Sequence, residues 1–181
     1  MDLNRLVKWV GYIDRRSYAR VMSRIESLLL KSAKEPITLW LFSGGGEMDV
    51  GLAFYDAVQL LKPTLIIVGT GEVSSTAPII LAAGKTRILT KNTTLFFHNV
   101  GIDDLSRGTK LSTNLMRTVA WEIDHAIERY QNILVERSGK LLSQRKIKEL
   151  MDNERSITAE EAVKLGLADM VANPEHFRVD G

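Results

Sequence analysis

Residues 65–83 read LIIVGTGEVSSTAPIILAA. The first four residues, 65–68, are a β-branched-rich apolar run typical of a buried strand, and the apolar stretch after Pro78 begins a helix. Ser75 stands in the turn between the two, where backbone N–H groups and the helix dipole favour developing negative charge. A buried strand that turns sharply into a helix indicates an α/β fold.

The same alternation of strands and helices extends along the chain on both sides of this segment. Periodicity predicts strands at residues 6–10, 37–42, 65–68, 87–90, 94–97 and 167–171, and helices at residues 16–30, 51–61, 78–83, 112–137 and 146–151. A Thr158-x-x-Glu161 capping pair predicts one more helix, which ends near Gly166. This order predicts parallel strands covered by helices. No linker divides the chain, so residues 1–181 are expected to form a single domain.

The composition argues against several classes of function. The 24 basic and 22 acidic side chains are interspersed and nearly cancel, which gives no electrostatic argument for binding nucleic acid or an anionic membrane. The chain has no cysteine and therefore no disulfide, thiolate nucleophile or cysteine metal site, and we expect neither a metal nor a cofactor. No apolar run reaches the ~18 residues that span a bilayer. The N-terminal residues also lack the apolar core of a signal peptide, so we expect a cytoplasmic protein.

Three predicted strand ends carry residues that could act on a substrate. Ser75 follows one strand, His98 closes another, and a glycine-rich turn at residues 43–46 follows a third. Sites in α/β folds lie at the carboxyl ends of strands. A serine needs a base to become a nucleophile, and glycines let backbone N–H groups approach a developing oxyanion. These are the parts of a serine hydrolase, whereas His125 and His176 are expected to be solvated surface residues.

Each of these features also has an ordinary structural explanation. Serine and threonine commonly cap helix N-termini, a histidine at a strand end can be a hydrogen-bonded core residue, and a glycine run can be a tight turn. Ser74 or Thr76 can supply the helix cap, so capping does not exclude Ser75 as a nucleophile. The joint occurrence of the three features at strand ends favours a hydrolase.

Four segments together resemble a known family. They are Ser43-Gly44-Gly45-Gly46, Gly71-x-x-x-Ser75 with Leu81-Ala82-Ala83-Gly84, Phe96-Phe97-His98-Asn99, and residues 159–169. In order and spacing they are similar to the motifs of the Clp protease proteolytic subunits, the ClpP-like serine peptidases, over about residues 10–171. The resemblance implies an α/β fold of the ClpP and crotonase type, a spiral of strand–strand–helix turns. A long helical handle is expected at about residues 112–137.

The resemblance also implies roles for individual residues. Ser75 would be the nucleophile and His98 the general base. The backbone N–H groups of Gly46 and Thr76 would form the oxyanion hole. Gly44 stands where the family has a proline, which loosens the glycine turn without removing its amides.

The third member of the triad is assigned by counting back from Ala162. The family's aspartate then falls on Glu154, which is expected to orient the imidazole. A glutamate can do this, although its extra methylene displaces the carboxylate by more than the ~0.5 Å tolerance of a working site. Asp152 is the alternative, because the segment after His98 is longer than is usual in the family.

The function that the resemblance implies is a serine endopeptidase that cleaves peptides or unfolded proteins through an acyl-enzyme on Ser75. A catalytically inactive ring subunit is the main alternative, and the glutamate at position 154 motivates it. A crotonase-type acyl-coenzyme A enzyme is another, but that class does not need a Ser75–His98 pair. A Ser–Lys dyad that uses Lys85 or Lys91 is the last.

Two features bear on partners. The helix at residues 112–137 carries an apolar stripe that we expect to be buried against a second subunit, in stacked homo-oligomeric rings by resemblance. The positions of this handle stripe are Leu115, Met116, Val119, Ala120, Ile123, Ala126, Ile127, Tyr130, Ile133 and Leu134. The resemblance implies an AAA+ ATPase as a partner, but the N-terminus is too short for the axial loops with which the family engages it, which weakens this expectation.

Overall fold

A computed structural model describes residues 2–99 and 112–173 as a sheet covered by helices. The strands are β1 (Leu6–Val10), β2 (Ile37–Ser43), β3 (Leu65–Ser74), β4 (Thr86–Leu89), β5 (Thr94–Phe96), β6 (Ser156–Thr158) and β7 (Met170–Val171). The helices are α1 (Arg15–Lys31), α2 (Met48–Leu61), α3 (Ala77–Ala82), α4 (Thr113–Arg137), α5 (Gln144–Asp152) and α6 (Ala159–Lys164). A short 3₁₀ turn, Leu3–Arg5, precedes β1.

Strand β3 is the longest strand and the branch point of the sheet. The main path runs β1-β2-β3-β4-β7, and all of its pairs are parallel. The first half of β3 pairs with β4, and its last residues, from Glu72 to Ser74, pair with β5 instead. β5 in turn pairs with β6. The carboxyl end of β3 therefore exchanges β4 for β5 as its neighbour, while Val73 still pairs with Ser43 of β2, and Ser75 follows at that point.

The predicted α/β class is confirmed, and three details of the sheet differ from the sequence-based expectation. β6 was not predicted as a strand, and it pairs antiparallel with β5, whereas parallel strands were expected. The predicted strand at 65–68 continues to Ser74, because β5 supplies a second set of backbone partners for its end. Within residues 167–171, only Met170–Val171 is a strand.

The core lies between the sheet and its helices. Alternate residues of β1 and of the second half of β2 are buried, as expected when one face of a strand packs on helices, and the first three residues of β2 are all buried. Trp9 and Phe54 are fully buried and meet edge to face, with ring centroids 5.1 Å apart. Burial of each such aromatic side chain stabilises the fold by about 1.5–3 kcal/mol. Helix α3 is buried throughout, between α2, β3 and α4, which fixes the element that follows Ser75.

Two arginines join the helical layer to the sheet. Arg87 of β4 is nearly buried, donates to both carboxylate oxygens of Asp169 at 2.5 and 3.3 Å, and also donates to the carbonyls of Arg137 and Gly166 at 2.9 Å. Arg137, the last residue of α4, donates to the carbonyls of Ala82 and Gly84 at 2.8 and 2.7 Å. The carboxyl end of α4 is therefore tied to both β4 and α3.

Helix α4 matches the predicted handle in extent. Ser112 caps it by accepting a hydrogen bond from the Leu115 N–H at 3.1 Å. Its second half packs on the domain, where Tyr130 and Leu134 are buried. Met116, in its first half, remains 48% exposed, and within residues 2–99 and 112–173 nothing covers this part of the handle stripe.

The predicted capping pair at the start of α6 is confirmed. The Thr158 N–H donates to the Glu161 carboxylate at 2.8 Å, and the Glu161 N–H donates to the Thr158 hydroxyl at 3.2 Å. In the described part of the chain, none of the helices combines the length and the apolar character needed to cross a membrane.

Candidate active site

The turn after β3 holds Ser75 in a strained backbone conformation. Its φ is +57°, in the left-handed region that costs a side-chain-bearing residue about 1–2 kcal/mol. Two hydrogen bonds hold it there: the Ser75 N–H donates to the Phe96 carbonyl, and the Tyr130 hydroxyl donates to the Ser75 carbonyl, both at 2.9 Å. The turn directs the Ser75 side chain toward the residues that follow β5.

His98 reaches the serine because β5 runs parallel to the end of β3. The register pairs Ser74 with Phe96, so that the residues just beyond the two strands lie side by side. His98 Nε2 is 2.8 Å from Ser75 Oγ, and its ring stacks on Phe96 with centroids 5.6 Å apart. The structure thus brings together the two side chains that the sequence singled out.

The hydrogen bond at the other ring nitrogen determines the tautomer of His98. Nδ1 lies 2.6 Å from the backbone carbonyl of Asn99. A carbonyl only accepts, so Nδ1 carries the proton in this contact. In the neutral ring Nε2 then has the lone pair, and Ser75 donates its hydroxyl proton to it. This is the tautomer that a general base requires.

The glycine turn after β2 lies directly against the serine. A Cβ on Gly45 would fall 2.5 Å from Ser75 Cβ and 3.0 Å from Ser75 Oγ, and the residue has a φ of +106°. A Cβ on Gly46 would collide with the carbonyl oxygen of Ile13. Neither position accommodates a side chain, because the turn at Ser75 occupies one side and the segment after β1 the other.

Two backbone amides beside Ser75 have no hydrogen-bond acceptor within residues 2–99 and 112–173. They are the N–H groups of Gly46 and Thr76, the pair that the resemblance assigns to an oxyanion hole. The neighbouring Gly45 N–H donates instead to the Ser43 hydroxyl at 3.0 Å. The Thr76 hydroxyl donates to the Gly46 carbonyl at 2.9 Å, which ties the two turns together.

The structure does not join Glu154 to His98 by a hydrogen bond. Continuing the antiparallel β5–β6 register by two residues sets Glu154 opposite His98, and the Phe97 N–H donates to the Arg155 carbonyl at 3.1 Å. The Glu154 side chain is nevertheless exposed and has no hydrogen bond or ion pair to the described residues, and its φ is +46°.

Asp152 connects to His98 through Asn99. Its carboxylate accepts from the Asn99 side-chain amide at 3.1 Å and from Lys148 Nζ at 2.9 Å. The hydrogen bond from Lys148, and then that from Asn99, lowers the pKa of Asp152 below its usual value. The carboxyl group therefore stays charged at neutral pH, and one amide side chain separates it from the carbonyl that contacts the imidazole.

The other predicted candidates lie away from this contact or outside the described residues. His125 stacks on Trp121 on the exposed side of α4, and His176 is outside the described residues. Among the hydrogen bonds of residues 2–99 and 112–173, none joins Lys85 or Lys91 to Ser75. The same residues contain no cluster of three or more histidine, aspartate and glutamate side chains that could hold a metal ion.

Comparison with known proteins identifies the family of this chain. A family model described as Clp protease matches residues 1–175. The chain belongs to the Clp protease family. It is also similar to a protein of Corynebacterium glutamicum named ATP-dependent Clp protease proteolytic subunit 1, with 29% identity over 161 residues, 88% of this chain and 74% of the relative. A peptidase, and hence a hydrolase, is what membership of the Clp protease family implies.

Two residues of the site were not predicted for it. Asn99 acts through its backbone carbonyl, and a main-chain contact leaves no trace in the type of side chain. Tyr130 was assigned to the apolar handle stripe, because the periodicity of apolar residues depends on the ring and gives no information about the hydroxyl. The presence of a phenol hydroxyl in an otherwise apolar stripe was the one sequence feature that could have indicated its role.

The contact between Gly45 and Ser75 predicts a sharp difference between neighbouring glycines. Gly45→Ala should lower the rate of Ser75 modification by a fluorophosphonate probe by at least about 100-fold, because the added methyl displaces the Ser75 side chain. Gly44→Ala is the matched control, since its Cβ would meet only the Glu72 carboxylate at an ordinary 3.6 Å. Equal labelling of Gly45→Ala and wild type would contradict the described turn.

The two carboxylates near His98 can be separated by conservative amide substitutions. Glu154→Gln should leave the turnover of a fluorogenic peptide within about twofold of wild type, because the side chain is exposed and unpaired among the described residues. Asp152→Asn should lower it about two- to fivefold, the range expected when an exposed charged contact is lost. A loss of more than about 100-fold in Glu154→Gln would instead identify Glu154 as the group that orients His98.

Proposed function

We propose that this chain is a serine endopeptidase that cleaves peptides or unfolded proteins through an acyl-enzyme on Ser75. The observation that carries the proposal is the 2.8 Å contact between Ser75 Oγ and His98 Nε2, with Nδ1 held on a carbonyl acceptor. A serine hydroxyl on a strained turn, facing the lone pair of an imidazole, is an activated nucleophile. Membership of the Clp protease family is the second line of support.

The proposed reaction begins when Ser75 Oγ attacks the scissile carbonyl and His98 Nε2 takes its proton. The carbonyl oxygen becomes an oxyanion, and the N–H groups of Gly46 and Thr76 are the donors proposed to bind it. The C–N bond then breaks, and His98 returns the proton to the leaving amine. Water, deprotonated by His98, attacks the acyl-enzyme and releases the acid and the free serine.

The proposed partner of the imidazolium is unusual for a serine peptidase. In each half-reaction His98 becomes a cation, and its Nδ1–H then faces the Asn99 carbonyl, a dipole without full charge. The Asp152 carboxylate contributes at longer range through the Asn99 amide. Glu154 is the group that the resemblance assigns to this position, and the substitutions described above decide between the two carboxylates.

A catalytically inactive ring subunit is the alternative that one observation favours. No carboxylate forms a hydrogen bond with His98 in the described part of the chain, and a serine peptidase without that charge turns over slowly. The alternative of a crotonase-type acyl-coenzyme A enzyme has less support, because enzymes of that class do not need a contact such as that between Ser75 and His98. The inactive-subunit alternative differs from the peptidase in one measurable property, the reactivity of Ser75.

Labelling with a fluorophosphonate probe tests the proposed function. Intact mass should rise by one adduct per chain, because the activated serine attacks phosphorus as it attacks a carbonyl. Ser75→Ala should abolish the adduct. Ser74→Ala is the matched control and should label normally, since the Ser74 hydroxyl is buried and has no hydrogen-bond partner among the described residues. Absence of labelling in the wild type would refute the peptidase proposal.

Assembly into a homo-oligomer is also part of the proposal. The exposed first half of the handle stripe is the surface proposed to contact a second subunit, because apolar patches of this kind are seldom left in water. The Corynebacterium relative is named a subunit of an ATP-dependent protease, and an ATPase partner of this chain stays an open alternative.

Sedimentation velocity of charge-introducing variants tests the assembly. Met116→Asp should shift the wild-type oligomer to smaller species, because a carboxylate would be buried in the apolar contact. Thr118→Asp places the same charge outside the handle stripe and should sediment as the wild type does. A wild-type chain that remains a monomer at micromolar concentration would contradict this use of the handle.

A further inference from the structure

Tyr130 places a single hydroxyl group at the back of the nucleophile turn. The side chain is 2% exposed, and its hydroxyl donates to the Ser75 carbonyl at 2.9 Å. Burial raises the pKa of Tyr130 well above its usual value, so the hydroxyl keeps its proton and acts as a donor. The contact joins α4 to the turn, since Tyr130 lies 55 positions along the chain from Ser75.

The carbonyl of Ser75 and the N–H of Thr76 belong to one peptide unit. The unit is planar, and no cis peptide bond occurs among the described residues. In a trans unit the C=O and the N–H point in opposite directions. A hydrogen bond that fixes the Ser75 carbonyl toward α4 therefore fixes the Thr76 N–H on the opposite side, away from α4.

We propose that Tyr130 is a positioning residue that holds the Thr76 N–H in its oxyanion-binding orientation by donating to the Ser75 carbonyl. This inference rests on the proposed function of Ser75 and adds a residue that neither touches the substrate nor transfers a proton. It acts through the peptide unit alone.

The backbone around Ser75 explains why this peptide unit needs an external hold. The φ of Ser75 does not fix the orientation of the following peptide unit, which turns about the ψ of Ser75 and the φ of Thr76. Rotation about these bonds would carry the Thr76 N–H away from the oxyanion and bring the Ser75 carbonyl oxygen toward it. An oxygen in that place repels an oxyanion. The hydroxyl opposes the rotation, because the rotated carbonyl would lose its partner in a half-buried site.

The hydrogen bond also changes the strength of the amide as a donor. A carbonyl that accepts a hydrogen bond polarises its peptide unit, which makes the attached N–H a stronger donor. The Gly46 N–H shares its peptide unit with the Gly45 carbonyl, which accepts a hydrogen bond from the Ile13 N–H at 2.9 Å. In both proposed oxyanion donors, the carbonyl of the same peptide unit is therefore held by a hydrogen bond.

Tyr130→Phe tests the proposal, since it removes the hydroxyl and retains the buried ring. With a fluorogenic peptide, kcat should fall about 10- to 100-fold while KM stays within about twofold, the pattern for an interaction made only in the transition state. Tyr55→Phe is the matched control: Tyr55 is also buried, its hydroxyl makes no hydrogen bond to the described residues, and its kinetics should match the wild type.

A second measurement does not depend on turnover. Labelling serine carbonyls with ¹³C and threonine amides with ¹⁵N selects the two Ser–Thr bonds of the chain, Ser75–Thr76 and Ser112–Thr113. In Tyr130→Phe the first cross-peak should move in both carbonyl and amide shifts, and the second should stay in place. A Thr76 cross-peak that does not move would overturn the inference, whether or not the protein hydrolyses peptides.

The two proposals fail in different ways. If the wild type labels at Ser75 and Tyr130→Phe retains full kcat, the role of Tyr130 is refuted and the peptidase stands. If the wild type does not label while the Thr76 cross-peak moves, the peptidase proposal fails, and the hold of Tyr130 on the Ser75–Thr76 peptide is supported.

Discussion

The left-handed turn at Ser75 is the constraint on which the site depends. β3 reaches this turn only because its last residues leave β4 and pair with β5, which also brings His98 alongside. The strain of the turn is offset by hydrogen bonds to the Ser75 N–H and carbonyl, each worth about 1 kcal/mol. Gly45 must lack a side chain because the turn occupies its space. The conformation of this turn thus depends on the pairing of β3 with β5, on a glycine at position 45 and on the buried Tyr130.

His98 has no carboxylate hydrogen-bonded to it among the described residues, and in this respect the site differs from a complete catalytic triad. A triad carboxylate both fixes the tautomer and stabilises the imidazolium. Here the Asn99 carbonyl performs the first task at 2.6 Å, and Asp152 performs the second only through an intervening amide. The site described here therefore resembles a triad with the correct tautomer and a weakened cation partner. Its expected behaviour is a reactive serine with modest turnover.

The features that depend on residues close together in the sequence could be predicted. The positions of Ser75 and His98 after strands, the extent of α4 and the capping pair at Thr158 all follow from residue type and spacing, and the structure has each of them. The antiparallel strand β6 was missed because it has three residues, and its pairing with β5 depends on a contact 60 positions away in sequence. No periodicity can indicate such a pair.

Main-chain groups account for the rest of the difference. The Asn99 carbonyl and the Ser75–Thr76 peptide act through atoms that every residue possesses, so only coordinates reveal them. The backbone of Glu154 lies opposite His98 when the β5–β6 register is continued, while its side chain remains exposed. Alignment to a family predicts where a residue lies along the chain, but it does not predict the rotamer of that residue's side chain.

The proposed role of the turn at Ser75 is to present a nucleophile and two amides to one tetrahedral centre. A crystal structure of the protein with a peptide boronic acid bound to Ser75 tests this role most directly. We expect a bond from Ser75 Oγ to boron, with one boronate oxygen about 2.7–3.1 Å from both the Gly46 and Thr76 nitrogens. A boronate oxygen that contacts neither amide, or an adduct on another residue, would contradict it.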